Sequence, residues 1–209
     1  LLLEAGHNPT ILHFNHRWSE WGDKAEAFVR KVCKHHNLTL IVGQGRGRTA
    51  TNAEEHARTE RYAFFAEQVA KLTLHGVLTA HTQTDDVEGF LMRLARGSGL
   101  KGLSGISPDS THSIVIPAKA GTQGDSLQLR ILRPLLSSTR EELRAYLKQH
   151  SIRYLNDPSN TQIDTFRARI RKLIPHMEKA GLHPHHIAAS MASLHAADSA
   201  LDNLVETLW

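Results

Sequence analysis

Apolar positions in this chain fall into short runs and helical stripes that alternate along most of its length. Thr10 to Asn15 (TILHFN) predicts a strand ending at Asn15-His16, after Leu1 to Gly6, which reads as the last turn of a helix. Asp23 to His36 carries Ala25, Phe28, Val29, Val32 and Cys33 at helical spacing, Asn37 can close that helix, and Leu38 to Val42 is the next strand. Thr51 to Glu54 has the form of a capping box opening a long helix to Leu74, with Tyr62, Phe65, Val69 and Leu72 as its buried face. Val77 to Ala80 is again a strand, and Leu91, Leu94 and Ala95 stripe a helix that Gly97 and Gly99 end. Ser107 to Gln128 is polar and reads as a loop or insertion before a strand at Leu129 to Leu132. Ser138 to Glu141 caps a helix to Gln149, Ile152 to Leu155 is a short strand, and Asn156 to Asn160 a turn cluster. From His185 to Leu208 the chain is alanine-rich, with Ile187, Met191, Leu194, Leu201, Leu204 and Leu208 at helical spacing.

Alternating strands and helices predict an α/β fold, a parallel sheet with helices on both faces. In such sheets ligands sit beyond the carboxyl ends of the strands. Asn15-His16 and His81 both occupy such ends.

Bulk composition narrows the picture only a little. The 209 residues suffice for a real core, and 40% hydrophobic with 22% charged residues is ordinary for a soluble globular protein. A net charge of +4 suits an anionic partner. The fifteen histidines show no metal-ligand spacing, and the single cysteine, Cys33, can form no internal disulfide, which fits a reducing cytoplasm. There is no 18-residue apolar run, and Leu1-Leu2-Leu3 is too short and uncharged for a signal peptide.

Candidate chemistry concentrates between Ala80 and Ile106. His81 marks a strand exit, and Asp85 and Glu88, three apart, share one helix face. Together these carboxylates could grip a cation or an amine, or they could be a capping box with no chemistry. Arg96-Gly97-Ser98-Gly99 could hold phosphate oxygens, or could be an ordinary helix C-terminus. The run Gly43-Gln44-Gly45-Arg46-Gly47 looks at first like a dinucleotide fingerprint, but its third glycine falls one place early and no helix follows at once, so it reads as a plain connection. Arg58 and Arg61 lie on one side of their helix, and FRARIRKLIP (Phe166 to Pro175) is cationic; a solvated charged face accounts for either.

The run AHTQTDDVEGFLMRLARGSGLKGL resembles the AH-x-x-DD-x-x-ET-x-L-x-x-L-x-RG-x-G-x-x-GL signature of tRNA(Ile)-lysidine synthetases, members of the PP-loop ATP pyrophosphatase superfamily. Aligned on Glu88 and Arg96, Asp85 takes the second aspartate, Thr84 stands for the first, Asp86 for glutamine and Gly89 for threonine. NAEEHARTERYAFF resembles the family's E-x-x-AR-x-x-RY segment, and RPLL, DPSN and FRARIRKLIP follow in order, with Ala168 in place of asparagine. The resemblance spans roughly residues 11 to 180. The superfamily's SGG-x-DS phosphate loop is not in this chain, and Gly124-Asp125-Ser126 is a decoy for its tail, so this polypeptide alone is not expected to be a competent enzyme.

That resemblance implies a Rossmann-like PP-loop ATPase domain over residues 1–175 and a helical linker, or the start of a second domain, over 176–209. The implied activity is ATP-dependent ligation of L-lysine to the wobble cytidine of a CAU-anticodon isoleucine tRNA. The implied cofactor is ATP with Mg2+, the location is cytoplasmic, and a homodimer is possible. Asp85 and Glu88 would hold the lysine ammonium groups, Arg61 and Arg167 would sit at the nucleotide or reactive centre, His81 and the Arg96, Gly97, Ser98, Gly99 turn would flank ATP, and Asn15 and His16 would line the nucleotide edge.

Overall fold

The computed structural model describes residues 2–47, 53–115, 126–157 and 165–208. Twelve elements follow in the order β1 (Ile11–Asn15), α1 (Glu20–His35), β2 (Leu40–Gln44), α2 (Ala53–Lys71), β3 (Val77–Leu78), α3 (Gln83–Leu94), α4 (Leu100–Leu103), β4 (Asp109–Val115), β5 (Ser126–Leu132), α5 (Arg140–Gln149), α6 (Phe166–Lys179) and α7 (Pro184–Leu208). The α/β class expected from the sequence is the fold observed. The residues divide into two compact units, 1–77 with 111–131, and 78–110 with 132–209.

In the first unit β1 and β2 pair in parallel, Ile11 opposite Leu40 through Asn15 opposite Gln44, with α1 as the crossover. Parallel neighbours need such a crossover, which is why the two apolar runs are separated by a full helix. The core here is Tyr62, Ala66 and Val69 of α2 with Val77, Leu129 and Ile131, joined by Leu12 and Phe65. Gly43, inside β2, leaves room for two aromatic rings: an added Cβ would lie 2.7 Å from both Phe14 and Phe64. The residues that looked like a glycine fingerprint are therefore part strand and part connection. Thr51 and Asn52 of the capping box proposed at Thr51 to Glu54 lie outside the described residues, as do Gly124 and Asp125.

Three strands form a second ladder in the order β3–β5–β4, and the division between units falls within them. Gly76 lies against Arg130, and Thr79 N–H donates to the Leu132 carbonyl, so β3 and β5 run in the same direction. Ser113 lies beside Ser126 and Arg133 beside Pro108, so β4 runs against β5. β4 corrects the reading of residues 107–128 as loop. Its burial alternates along Asp109–Val115, and the inward positions include Ser110 and His112, which hid the period-2 pattern from an apolar count. Ile152 to Leu155, expected as a strand, forms no ladder among the described residues.

The second unit is helical. Val87 and Leu91 of α3, Ile170 of α6 and Met191 of α7 are its buried centre, with Phe90, Phe166, Ile174, Met177 and Ile187 around them. Helix α6 does not stop at Pro175 but continues to Lys179, where Gly181 at φ 89° ends it with paired bonds from Leu182 N–H to Met177 and from Gly181 N–H to Glu178. Met191 anchors the first half of α7, whereas Leu201, Leu204, Val205 and Leu208 at its far end are exposed.

Candidate functional site

Helix α3 begins one turn earlier than the carboxylate spacing suggested. Thr82 is the N-cap: its hydroxyl accepts from Asp85 N–H, while the Asp85 carboxylate accepts from Thr82 N–H (3.0 Å) and Oγ1 (2.7 Å). The capping box is therefore Thr82 with Asp85, not Asp85 with Glu88. Glu88 lies one residue beyond Val87 on the buried face of α3, with its side chain 0% exposed.

Three arginines meet these two carboxylates. Arg140, the first residue of α5, donates from Nη2 to Asp85 Oδ1 (2.9 Å) and from Nη1 to Glu88 Oε1 (3.2 Å). Arg167 of α6 also bridges the pair, from Nη2 to Asp85 Oδ1 (3.0 Å) and from Nε to Glu88 Oε2 (2.7 Å). Arg171, one helical turn on, donates from Nε and Nη2 to the two Glu88 oxygens at 2.8 and 3.1 Å. A second capping box, Thr139 with Glu142, fixes the start of α5. Gln83 N–H bonded to the Ser138 carbonyl and Arg140 N–H to Thr84 Oγ1 stitch α5 to α3.

Electrostatics follow from this packing. Burial is the largest influence on both carboxyls and pushes their pKa values up. For Glu88 the hydrogen bonds from Arg171 and Arg167 and their charges outweigh burial, and for Asp85 the Thr82 bonds with Arg140 and Arg167 do so. Both end below the ordinary carboxylate range. Asp86, next door, goes the other way: burial raises it, and Ile106 N–H, Arg93, Arg133 and His195 recover only part. Asp86 Oδ1 accepts from Ile106 N–H at 2.8 Å, a structural use of the position where the family pattern has glutamine.

A cavity of about 870 Å³ opens beside the cluster, lined by Asp85, Glu88, Arg140, Arg144, Arg167 and Arg171 among others. Counting the three bound guanidiniums against two carboxylates, the cluster carries a formal +1, so its open face suits an anion.

Asp85, Glu88 and Arg167 are thus brought together. The sequence reading missed Arg140 and Arg171. Arg171 was within reach, being four residues from Arg167 on one helix face. Arg140 lies 52 residues from Glu88 and only tertiary folding brings it there. Also in this unit, His81 Nδ1 is 2.9 Å from Thr79 Oγ1, and Arg96-Gly97-Ser98-Gly99 forms the turn closing α3, with Gly97 at φ 72° and the Arg96 guanidinium 5.6 Å from the Phe166 ring centroid.

Asn15, His16 and Arg61 belong to the first unit. The buried Asn15 amide donates to Asp23 (2.9 Å) and Glu26 (3.1 Å) and accepts from Arg17 N–H (3.0 Å), so its side chain is committed to shaping the end of β1. Burial, then the nearby Arg61, lower the His16 pKa below the ordinary imidazole value. Arg61 and Arg58 lie 5.7 and 4.6 Å from the Tyr62 ring centroid.

The sequence profile of the PP-loop domain matches residues 3–177, and the chain belongs to that family. Among curated relatives it is 37% identical over 188 residues to the tRNA(Ile)-lysidine synthase of Novosphingobium aromaticivorans, covering 88% of this chain and 52% of that protein. It is 31% identical to that of Anaplasma marginale (93% and 39%) and 32% identical to that of Pseudomonas fluorescens (99% and 45%). The chain thus spans about half the length of the curated relatives it matches, or less. The U34-tRNA thiolase NcsA of Methanococcus maripaludis, solved with its [4Fe-4S] cluster, shares the fold at a TM-score of 0.62 and 12% identity, covering 89% of this chain and 60% of that one. Among the described residues no helix is long and apolar enough to cross a membrane.

Proposed function

We propose that this chain carries the PP-loop domain of a tRNA-modifying ligase that joins L-lysine to the wobble cytidine of a CAU-anticodon isoleucine tRNA at the expense of ATP. The observation that carries the reading is the Asp85–Glu88 pair on α3, set among Arg140, Arg167 and Arg171 in a family whose matched relatives are lysidine synthases. In the proposed reaction the cytidine O2 attacks the α-phosphorus of ATP and pyrophosphate leaves. The lysine side-chain amine, as the free base, then attacks C2 of the adenylated base, AMP departs with that oxygen, and the amine loses a proton.

Asp85 and Glu88 are the groups we assign to the lysine ammonium ends, since anionic oxygens lower the cost of drawing an ammonium out of water. Arg167 and Arg61 are assigned to the phosphates and the reacting base, where fixed cations stabilise developing negative charge. His16 and the end of β1 would face the nucleoside, and His81 with the Arg96–Gly99 turn would flank the phosphates. Mg2+ does not fit the Asp85–Glu88 pair, whose oxygens are already filled by guanidinium and cap donors. Helix α7 is proposed to lead toward a further tRNA-contacting region.

One observation favours a second reading. A saturated ion-pair network can be purely structural, so a catalytically silent nucleotide- or tRNA-binding protein is the alternative. A cluster-dependent thiolase is disfavoured by the single cysteine, which is buried on α1. Pyrophosphate release with ATP, lysine, and cognate or non-cognate tRNA decides between them, measured on this chain, on the chain joined to an upstream SGG-x-DS segment, and on an Asp85→Ala version of the joined form. Release that needs lysine and cognate tRNA and disappears in the mutant is expected. Lack of release even with the phosphate loop present would overturn the ligase.

A further inference from the structure

We propose that Arg167 is a displaceable latch: in the free protein its guanidinium occupies the seat, shared between Asp85 and Glu88, that an incoming ammonium group takes. The inference rests on the lysine reading of this pair and adds how the pair is kept until the amine arrives.

Each carboxylate oxygen already has two donors. Asp85 Oδ2 receives Thr82 N–H and Oγ1–H, and Oδ1 receives Arg140 and Arg167. Glu88 Oε1 receives Arg140 and Arg171, and Oε2 receives Arg167 and Arg171. A carboxylate offers about four lone-pair positions, so an ammonium cannot be added to either group. It has to replace something.

The three arginines are not equally replaceable. Removing Arg171 would open both oxygens of Glu88 but nothing on Asp85. Arg140 bridges both carboxylates, yet its own backbone N–H is bonded to Thr84 Oγ1 and its side chain is 25% exposed. Arg167 also bridges both, is 46% exposed, and lies in the first turn of α6. When it swings out, Asp85 Oδ1 keeps Arg140 and Glu88 Oε2 keeps Arg171. What opens is one acceptor position on each carboxylate, a seat for a group with several N–H donors and one positive charge. The exchange of guanidinium for ammonium is neutral in charge, so buried Glu88 never stands uncompensated, the state that makes broken buried pairs costly. The latch scales the apparent affinity by the unlatched fraction, so a seat open about one-tenth of the time binds about tenfold more weakly than an open one.

The test is calorimetric titration of L-lysine into the wild-type, Arg167→Met, Arg171→Met and Asp85→Asn chains, with L-norleucine as the ligand lacking the second ammonium. Arg167→Met is expected to bind lysine about tenfold tighter than wild type, Arg171→Met to show no such gain, and norleucine to bind none. A second measurement needs no variant: on lysine titration the Arg167 Nε–H resonance of the wild type should move to that of a solvated guanidinium while Arg140 and Arg171 stay. Unchanged or weaker lysine affinity in folded Arg167→Met, equal tightening in Arg171→Met, or an unmoved Arg167 resonance at saturating lysine overturns the latch and leaves the lysine seat standing. Undiminished binding in Asp85→Asn, or no binding by any of the four chains, removes the lysine reading and the latch with it.

Discussion

Replacing Glu88 by glutamine tests the centre of the second unit most directly. The carboxylate receives four guanidinium hydrogen bonds, at 2.7, 2.8, 3.1 and 3.2 Å, and is 0% exposed. A glutamine can accept on one oxygen only, and its amide N–H groups would face donors of Arg167 and Arg171 or of Arg140 and Arg171. Three guanidiniums would then share one carboxylate. Breaking a buried pair by removing one partner costs about 3–5 kcal/mol. The arginines are 25–46% exposed and can turn partly to water, which screens the loss to about 2–3 kcal/mol. For a chain of this size each kcal/mol moves Tm by about 2–4 °C, so E88Q should melt roughly 4–12 °C lower at pH 7. The loss should also fade in acid. Because the folded Glu88 pKa lies below its unfolded value, its contribution is complete above the ordinary glutamate range and drains away as pH falls through the folded value. Thermal and urea unfolding of both proteins from pH 7 downward measures this. A difference under about 0.5 kcal/mol at pH 7, or one that does not shrink in acid, would refute the claim that the arginine cluster ties these helices together.

Asp86 should behave oppositely. Its folded pKa is raised, so its ionisation lowers stability as pH climbs above the ordinary aspartate range; Asp86→Asn, keeping an acceptor for Ile106 N–H, should remove that decline and lie within about 1 kcal/mol of wild type at pH 7 by urea denaturation. In the first unit Gly22→Ala would drive a Cβ into Asn15 Oδ1 and disturb its bonds to Arg17, Asp23 and Glu26, costing about 1–3 kcal/mol in the same assay. Thr82→Ala should cost about 1 kcal/mol as a lost helix cap, read by urea denaturation.

Periodicity and punctuation in the sequence determined most of the elements of this protein. Parallel β1 and β2 with their crossover, the long α2, the Gly97 end of α3 and the α7 stripe all rest on local apolar spacing and turn chemistry, which act over a few residues and are written there. The family signature likewise marked Asp85, Glu88 and Arg167 as belonging to one site. Folding alone decided what those residues touch. The helix start at Thr82 took Asp85 as its cap partner and left Glu88 buried, because Thr82, extended and accepting from Asp85 N–H, sets the first turn ahead of Thr84 and Asp85. β4 was invisible because the inward positions of Asp109–Val115 are partly polar. Arg140 reached Glu88 from 52 residues away, and no local pattern carries that information: a buried carboxylate requires counter-charge, but only the packing of α3, α5 and α6 specifies which arginines supply it.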